Sequence, residues 1–318
     1  MKLLELFSGV GSQYRALKNI NFPIEEVYTS EVDADIEDMY DLIHCKEQSS
    51  LCNGVIRLGD IKKIQVIPDV DLMTYSFPCQ DISNQGKQLG LFRGDKSSLL
   101  WEVDRVLHNS KLPDTLLMEN VSSITYPKFI DGLSIWMEKL RNLGYVNYLF
   151  KLNAKDFGIP QNRLRTFMVS RLKGGFPTKF TLFTIPIGKP TIKKFIDIKE
   201  YGVDEKYYRN ETVNSRVYGK NVKHRRTDNY NYIGDKMVVL EDSYTPTLTA
   251  KGAQSHFKVY DSDKIRIVTP LECVRLMGFT DVDYDKIKHY PENKIRFAMG
   301  NSIVVNVLEE IFKNIYKK

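Results

Sequence analysis

Lys2-Leu3-Leu4-Glu5-Leu6-Phe7-Ser8-Gly9-Val10-Gly11 sets the architecture, because an apolar run of strand length passes straight into a turn holding two glycines. Residues 2–7 read as a first β-strand and residues 12–18 as the helix after it. Strand, glycine turn and helix in that order open an α/β unit built on a parallel sheet. Beyond this stretch, candidate strands recur at 27–30, 71–75, 115–118, 145–152 and 166–170, with helices near 33–42, 97–109 and 133–143. The expectation through residue 172 is an α/β domain with a mostly parallel sheet. Several of its strands end in polar clusters, and open α/β sheets bind ligands beyond the carboxyl ends of their strands.

After Lys173-Gly174-Gly175 the pattern turns irregular, rich in Lys, Tyr, Asn and Thr and broken by Pro177, Pro186, Pro190 and Pro246. A smaller second domain is expected there. Order returns near Arg266: Pro270 can open a helix through Met277 that Gly278 caps. Val304, Leu308, Ile311 and Ile315 then mark one apolar helical face, predicted to pack back on the large domain. The boundaries read as 1–172 plus 298–318 for the large domain, 173–265 for the small one and 266–297 for a connecting segment.

The 318 residues are 42% hydrophobic and 27% charged, without an apolar run long enough to span a bilayer and without a signal peptide behind Met1-Lys2. A cytoplasmic protein without membrane contact is the expectation. Cys45, Cys52, Cys79 and Cys273 form no CxxC pair and the five histidines are scattered, so neither a disulfide framework nor a metal site is signalled. The net charge of +6 is unevenly placed. Residues 173–260 hold 16 Lys and Arg against 9 Asp and Glu, together with 13 Phe and Tyr, while the rest of the chain is nearly neutral. That mixture suits phosphates and bases.

Four clusters could carry chemistry. Gly9 and Gly11 let backbone approach a ligand, and Glu31 stands at the end of the next strand, where an acid can bind ribose hydroxyls. The loop lacks the third glycine of the dinucleotide fingerprint, which disfavours a pyrophosphate cofactor. Pro78-Cys79-Gln80 follows a strand, which puts a thiol at the open end of the sheet, where a nucleophile would work. Gly86, Gly90 and Gly94 recur amid Lys87, Arg93 and Lys96, a composition suited to a mobile basic lid over residues 81–96. Glu119-Asn120-Val121 ends another strand with a carboxylate able to share a proton with a ring nitrogen. Gln161-Asn162-Arg163-Leu164-Arg165 follows the turn Gly158-Ile159-Pro160, and period-two alternation sets two guanidiniums on one side, able to fork onto a carboxylate, carbonyl or phosphate.

Together and in this order, these residues resemble the DNA cytosine-5 methyltransferase family. Arg266 to Phe279, with Pro270, Glu272, Cys273, Arg275 and Gly278, is similar to the family segment that organises the recognition domain, and Gly300-Asn301-Ser302 with Val304 and Val305 to its last motif. The resemblance covers about 230 of the 318 residues. It implies a Rossmann-like domain that uses S-adenosylmethionine, with a smaller, irregular target-recognition domain, acting as a monomer on a flipped-out cytosine in duplex DNA. Cys79 would add to C6, Glu119 would hydrogen-bond N3, and Arg165 with Arg163 would hold the base carbonyl or Glu119. Cofactor contacts would come from Phe7, Gly9, Gly11, Glu31, Val32, Asp60, Ile61, Pro78, Asn301 and Ser302. Gln80, Ser83, Gln85, Lys87, Gln161, Arg225, Arg226, Thr247 and Leu248 would meet the DNA, with Arg216, Lys220 and Lys223 as further candidates. A restriction-modification or phage setting, in a bacterial cytoplasm at the nucleoid, follows from the same resemblance. Two other readings stay open: an RNA cytosine-5 methyltransferase of the same fold, and a DNA-binding protein without catalysis.

Overall fold

The computed structural model describes residues 1–45, 55–78, 99–172, 193–208, 231–233, 236–250, 257–261 and 264–316. The chain divides into two compact units, one formed by Met1–Leu152, Leu164–Pro186 and Glu309–Lys318, the other by Asn153–Arg163 and Ile187–Leu308.

In the first unit β1 (Lys2–Leu6), α1 (Ser12–Asn19), β2 (Glu26–Ser30), α2 (Ala34–His44), β3 (Val55–Arg57), β4 (Leu72–Tyr75), α3 (Leu99–His108), β5 (Thr115–Val121), α4 (Ile130–Asn142), β6 (Tyr145–Asn153) and β7 (Leu164–Leu172) follow in sequence. The seven strands form one sheet in the order β3-β2-β1-β4-β5-β7-β6. β1 runs parallel to β2 and β4, and β4 parallel to β5, while β7 lies antiparallel to β5. Strands buried on both faces read as continuous apolar runs, as Leu3, Leu4, Leu6, Leu72, Met73 and Leu116 do. β3 escaped the sequence reading because three residues show no periodicity.

One face of the sheet packs Leu4, Met73, Tyr75 and Met118 with Leu100, Val103, Leu133 and Trp136. Trp136 donates its indole N–H to the Tyr75 hydroxyl at 3.0 Å, which satisfies both polar atoms inside the core. Cys45 takes part in a disulfide, a bond that the cysteine spacing did not signal.

The second unit holds β8 (Asn231–Ile233), β9 (Lys236–Val239), β10 (Lys258–Asp261), β11 (Lys264–Ile267), α5 (Pro270–Leu276), α6 (Asp281–Ile287) and α7 (Glu292–Asn301). α8 (Val305–Tyr316) begins in it and reaches the first unit's share of the chain at Glu309. Within the first unit, Asn19 donates to Glu309 at 2.6 Å and the Phe22 and Tyr316 rings lie 4.6 Å apart, so the end of α8 does join the large domain. The stretch read as irregular contains a sheet, β11-β10-β9-β8. Its strands of three and four residues sit in polar sequence, too short to show alternation.

A buried ion network fixes this sheet to α5. Arg266, fully buried, donates to Asp261 at 2.6 Å and to both Glu272 oxygens at 2.7 and 2.9 Å, and Lys199 reaches Asp261 at 2.7 Å. Burial alone would raise the Asp261 carboxyl, but the hydrogen bonds from Lys199 and Arg266 outweigh it and hold the group down at about 2. Glu272 also completes a capping box with Thr269, and Pro270 occupies the first helical turn, as the sequence predicted. No described helix is long and apolar enough to cross a membrane.

Candidate active site

Strand register gathers the chemistry of the first unit. Leu6 pairs with Ser30 on one side and Tyr75 on the other, and Tyr75 pairs with Met118. Phe7, Glu31 and Ser76 are the first residues beyond three adjacent strands, and they leave the sheet at the level of Glu119, which lies inside the fourth, β5. Strand order reverses between β1 and β4, the position at which open α/β sheets form a binding crevice.

The first loop is strained. Phe7, Gly9 and Gly11 have φ of 57°, 54° and 74°, and such values for a bulky residue like Phe7 persist only where surrounding structure enforces them. The Glu31 carboxylate does much of that. It accepts the Gly9 N–H at 3.1 Å through Oε2, and those of Val32 and Asp33 at 2.8 and 3.1 Å through Oε1. Ser8 N–H donates to the Ser30 carbonyl, and the Ser30 hydroxyl donates to the Gly59 carbonyl at 2.6 Å, which joins a third turn to the group. Asp60 uses Oδ1 to cap the short turn Ile61–Lys63, and Ile61 is buried beneath it.

These residues fit an adenosyl-bearing ligand. A Cβ at Gly9 or Gly59 would meet no atom within 4 Å, the Ser8 hydroxyl is buried without a partner, and Val32 beside Glu31 is 75% exposed. Open backbone at Gly9 and Gly59, the exposed Val32 and the Glu31 carboxylate thus lie on adjoining turns, with the Ser8 hydroxyl buried in the first of them.

Beneath the loop lies a cluster that the sequence reading did not single out. Glu5 is fully buried in β1, accepting the Tyr14 N–H at 3.0 Å and the Tyr40 hydroxyl at 2.6 Å. Burial raises its carboxyl to about 7, against the pull of those two hydrogen bonds and the Arg57 charge. His44 sets Nε2 2.8 Å from the Val10 carbonyl, which fixes the proton on that nitrogen. A Cβ at Gly11 would stand 2.4 Å from Tyr40 and 2.5 Å from His44, so glycine is required there by space as well as by φ. An acid inside an apolar strand, LLEL, was the available signal.

On the other side of the switch, Phe77 is buried and Pro78 half-buried. Asn120 donates its side-chain N–H to the Phe77 carbonyl at 3.1 Å and accepts the Val121 N–H at 2.9 Å. Glu119 is nearly buried and lies 3.3 Å from Arg165 Nε, which the antiparallel register brings to the same end of β5. Sheltering strengthens that attraction relative to water. Cys79, Gln80, Ser83, Gln85 and Lys87, with the candidate lid, lie outside the described residues, as do Arg216, Lys220, Lys223, Arg225 and Arg226.

The second arginine has other partners. Within the second unit, buried Arg163 donates to the carbonyls of Leu248 at 2.7 Å, Gly300 at 3.1 Å and Ser302 at 2.7 Å. Gln161, fully buried, accepts the Leu248 N–H and donates to the Leu276 carbonyl, both at 2.8 Å. The Thr247 hydroxyl donates to the Asn162 carbonyl at 2.8 Å. Gln161-Asn162-Arg163 and Thr247-Leu248 therefore meet as one hub. Gly300 is pressed against Thr249, where an added Cβ would come within 2.4 Å of backbone. Asn301 is exposed and Ser302 buried. Among the described residues no group of three or more His, Cys, Asp or Glu could hold a metal ion.

The family described as C-5 cytosine-specific DNA methylase matches residues 1–317. The chain is 34% identical to the orphan methyltransferase M.SssI of Spiroplasma monobiae, across 89% of this chain and 74% of that protein. It is 32% identical to the type II methyltransferase M2.ScrFI of Lactococcus lactis subsp. cremoris, across 100% and 99%. Among solved structures it resembles the S. pombe Dnmt2 methyltransferase, with a TM-score of 0.73 and 21% identity over 98% of this chain and 97% of that one, a likeness of fold.

Proposed function

The chain belongs to the C-5 cytosine-specific DNA methylase family, and from that premise we propose how its own residues carry the reaction. It is a DNA (cytosine-5)-methyltransferase, and family and fold imply dependence on S-adenosylmethionine. That cofactor, when bound, supplies an electrophilic methyl group.

C5 of cytosine is a poor nucleophile. Cys79, as thiolate, adds to C6 and pushes electron density onto C5. Glu119 shares a proton with N3, which makes C6 electrophilic enough for that addition, while Arg165 holds the Glu119 carboxyl group in place. After transfer the C5 proton is removed and the C6–S bond breaks, restoring the aromatic ring and the thiolate. C6 is hidden in a stacked duplex, so the base is first turned out, at a cost of a few kcal/mol. Phe7, Gly9, Gly11, Glu31, Val32, Asp60, Ile61 and Pro78 hold the cofactor, together with Asn301 and Ser302. Residues 1–172 plus 298–318 carry catalysis, 173–265 read a specific target and 266–297 connect them. Gln80, Ser83, Gln85, Lys87, Arg225 and Arg226 meet the DNA, and Gln161, Thr247 and Leu248 shape the backbone that does so. The enzyme acts as a monomer on DNA in the cytoplasm, and relatives named as type II methyltransferases support a restriction-modification setting.

One observation supports this most. At a single strand end Glu119 sits beside Arg165, and the next residue, Asn120, holds the Phe77 carbonyl two positions before Cys79. Duplex DNA carrying 5-fluorocytosine tests it, because fluorine blocks loss of the C5 proton. The wild type should accumulate a covalent adduct, and Cys79→Ala should give neither adduct nor methyl transfer while still binding cofactor. Unimpaired transfer by the alanine variant would overturn the mechanism. Labelling of transfer RNA and not of duplex DNA would overturn the substrate.

A further inference from the structure

We propose that Lys155, Lys194 and Tyr244 form a preorganised anchor for the phosphate backbone of duplex DNA. The two ammonium groups lie 6.0 and 4.8 Å from the centre of the Tyr244 ring. Elsewhere in the second unit, described cations over aromatic rings are neutralised by carboxylates: Lys199 by Asp261 and Glu241, Lys206 by Glu292, Lys264 by Glu205 and Arg296 by Glu292. Lys155 and Lys194 have no carboxylate against their ammonium groups among the described residues, and both face the same ring. The Asp197 carboxylate accepts the Lys194 backbone N–H at 2.6 Å.

Two like charges gathered on one ring repel each other, and the attraction to the ring face offsets only part of that. An external polyanion removes the conflict. The three side chains also stand on segments already braced to one another. Thr245 N–H donates to the Pro160 carbonyl and Asn162 N–H to the Thr245 carbonyl, both at 2.7 Å, and Phe195 N–H donates to the Ser243 carbonyl at 2.9 Å. Tyr244 thus sits between two tied residues, and the neighbour of Lys194 is bonded to one of them. Little ordering remains to be done on binding. Tyr244 stands three residues before Thr247, so a phosphate held here positions the strand for the recognition segment without itself reading sequence.

This rests on the reading of the protein as a DNA methyltransferase. The test measures binding of the full-length wild type and the Lys155→Gln/Lys194→Gln variant to random-sequence duplexes across a salt series, with transfer RNA in parallel. The variant should bind duplex roughly tenfold or more weakly at 0.1 M salt, and its salt slope should fall by between one and two units. Its thermal midpoint, cofactor affinity and methylated sequence context, read by bisulfite sequencing, should match the wild type. Tyr244→Leu should lose affinity in the same direction. A wild-type slope in the double variant overturns the anchor while the functional reading stands, and so does a changed methylation context, which would mark base readout. Failure of the wild type to bind duplex while it binds transfer RNA overturns both.

Discussion

Asn120 spans 43 residues of sequence to hold the carbonyl of Phe77, so the strand that carries Glu119 also fixes the backbone entering Cys79. Asn120→Ala leaves that buried carbonyl without its donor, at a cost of about 1–3 kcal/mol, and frees the approach to the thiol. The rate of single-turnover methyl transfer should fall by tenfold or more with cofactor affinity within threefold of the wild type. Equal rates would show that the bond serves folding alone.

The two glycines of the first loop should fail in different ways. At Gly11 an added methyl runs into Tyr40 and His44, so Gly11→Ala should cost about 2–4 kcal/mol in urea unfolding. At Gly9 the space is open and only the positive φ is unfavourable, at about 1 kcal/mol. Gly9→Ala should therefore fold and lose cofactor affinity, as isothermal titration would read. Matching stability losses in the two variants would contradict this.

Glu5 should make stability depend on pH. Its folded carboxyl lies near 7 against an ordinary value of 4.5, so the folded state holds this proton more tightly than the unfolded one. Its contribution is fully present below about 4.5, declines as pH rises and is gone above about 7. Glu5→Gln keeps an acceptor for the Tyr14 N–H and can donate to the Tyr40 oxygen, without a charge to bury. Urea midpoints of wild type and variant should diverge between pH 5 and 8, the variant staying flatter. Parallel curves would count against a buried ionisation.

Arg163 and Arg165, two positions apart, should separate stability from rate. Arg163 serves three buried carbonyls, which a lysine cannot reach in the same fork, so Arg163→Lys should lose about 2–4 kcal/mol. Arg165→Lys should unfold within about 1 kcal/mol of the wild type yet transfer methyl at least tenfold more slowly. Melting curves with single-turnover rates decide, and the reverse pattern would exchange their roles.

The strand ends were legible because each lies within a few residues of the strand that positions it: Phe7 after β1, Glu31 after β2, Glu119 inside β5. Composition and alternation operate over that range. The network under the loop was not legible, since Glu5 meets Tyr40 and Arg57 through folding and a lone acid in a strand carries no label for burial. Period two set Arg163 and Arg165 on one side of an extended segment, but it says nothing of which carbonyls surround each. The small sheet was missed for a related reason: β9 and β10 are parallel neighbours joined by a long connection, so neither strand carries its own pairing signal.

The hub of Gln161 and Arg163 also bears on how such proteins can exchange specificity. Thr249 lies so close to Gly300 that no side chain fits between them, and Leu248 is bonded through both its N–H and its carbonyl. If residues 173–265 read the target, a segment grafted there from a relative should therefore rejoin this chain before Thr245. Residues 245–250 are held by these contacts as a fixed socket.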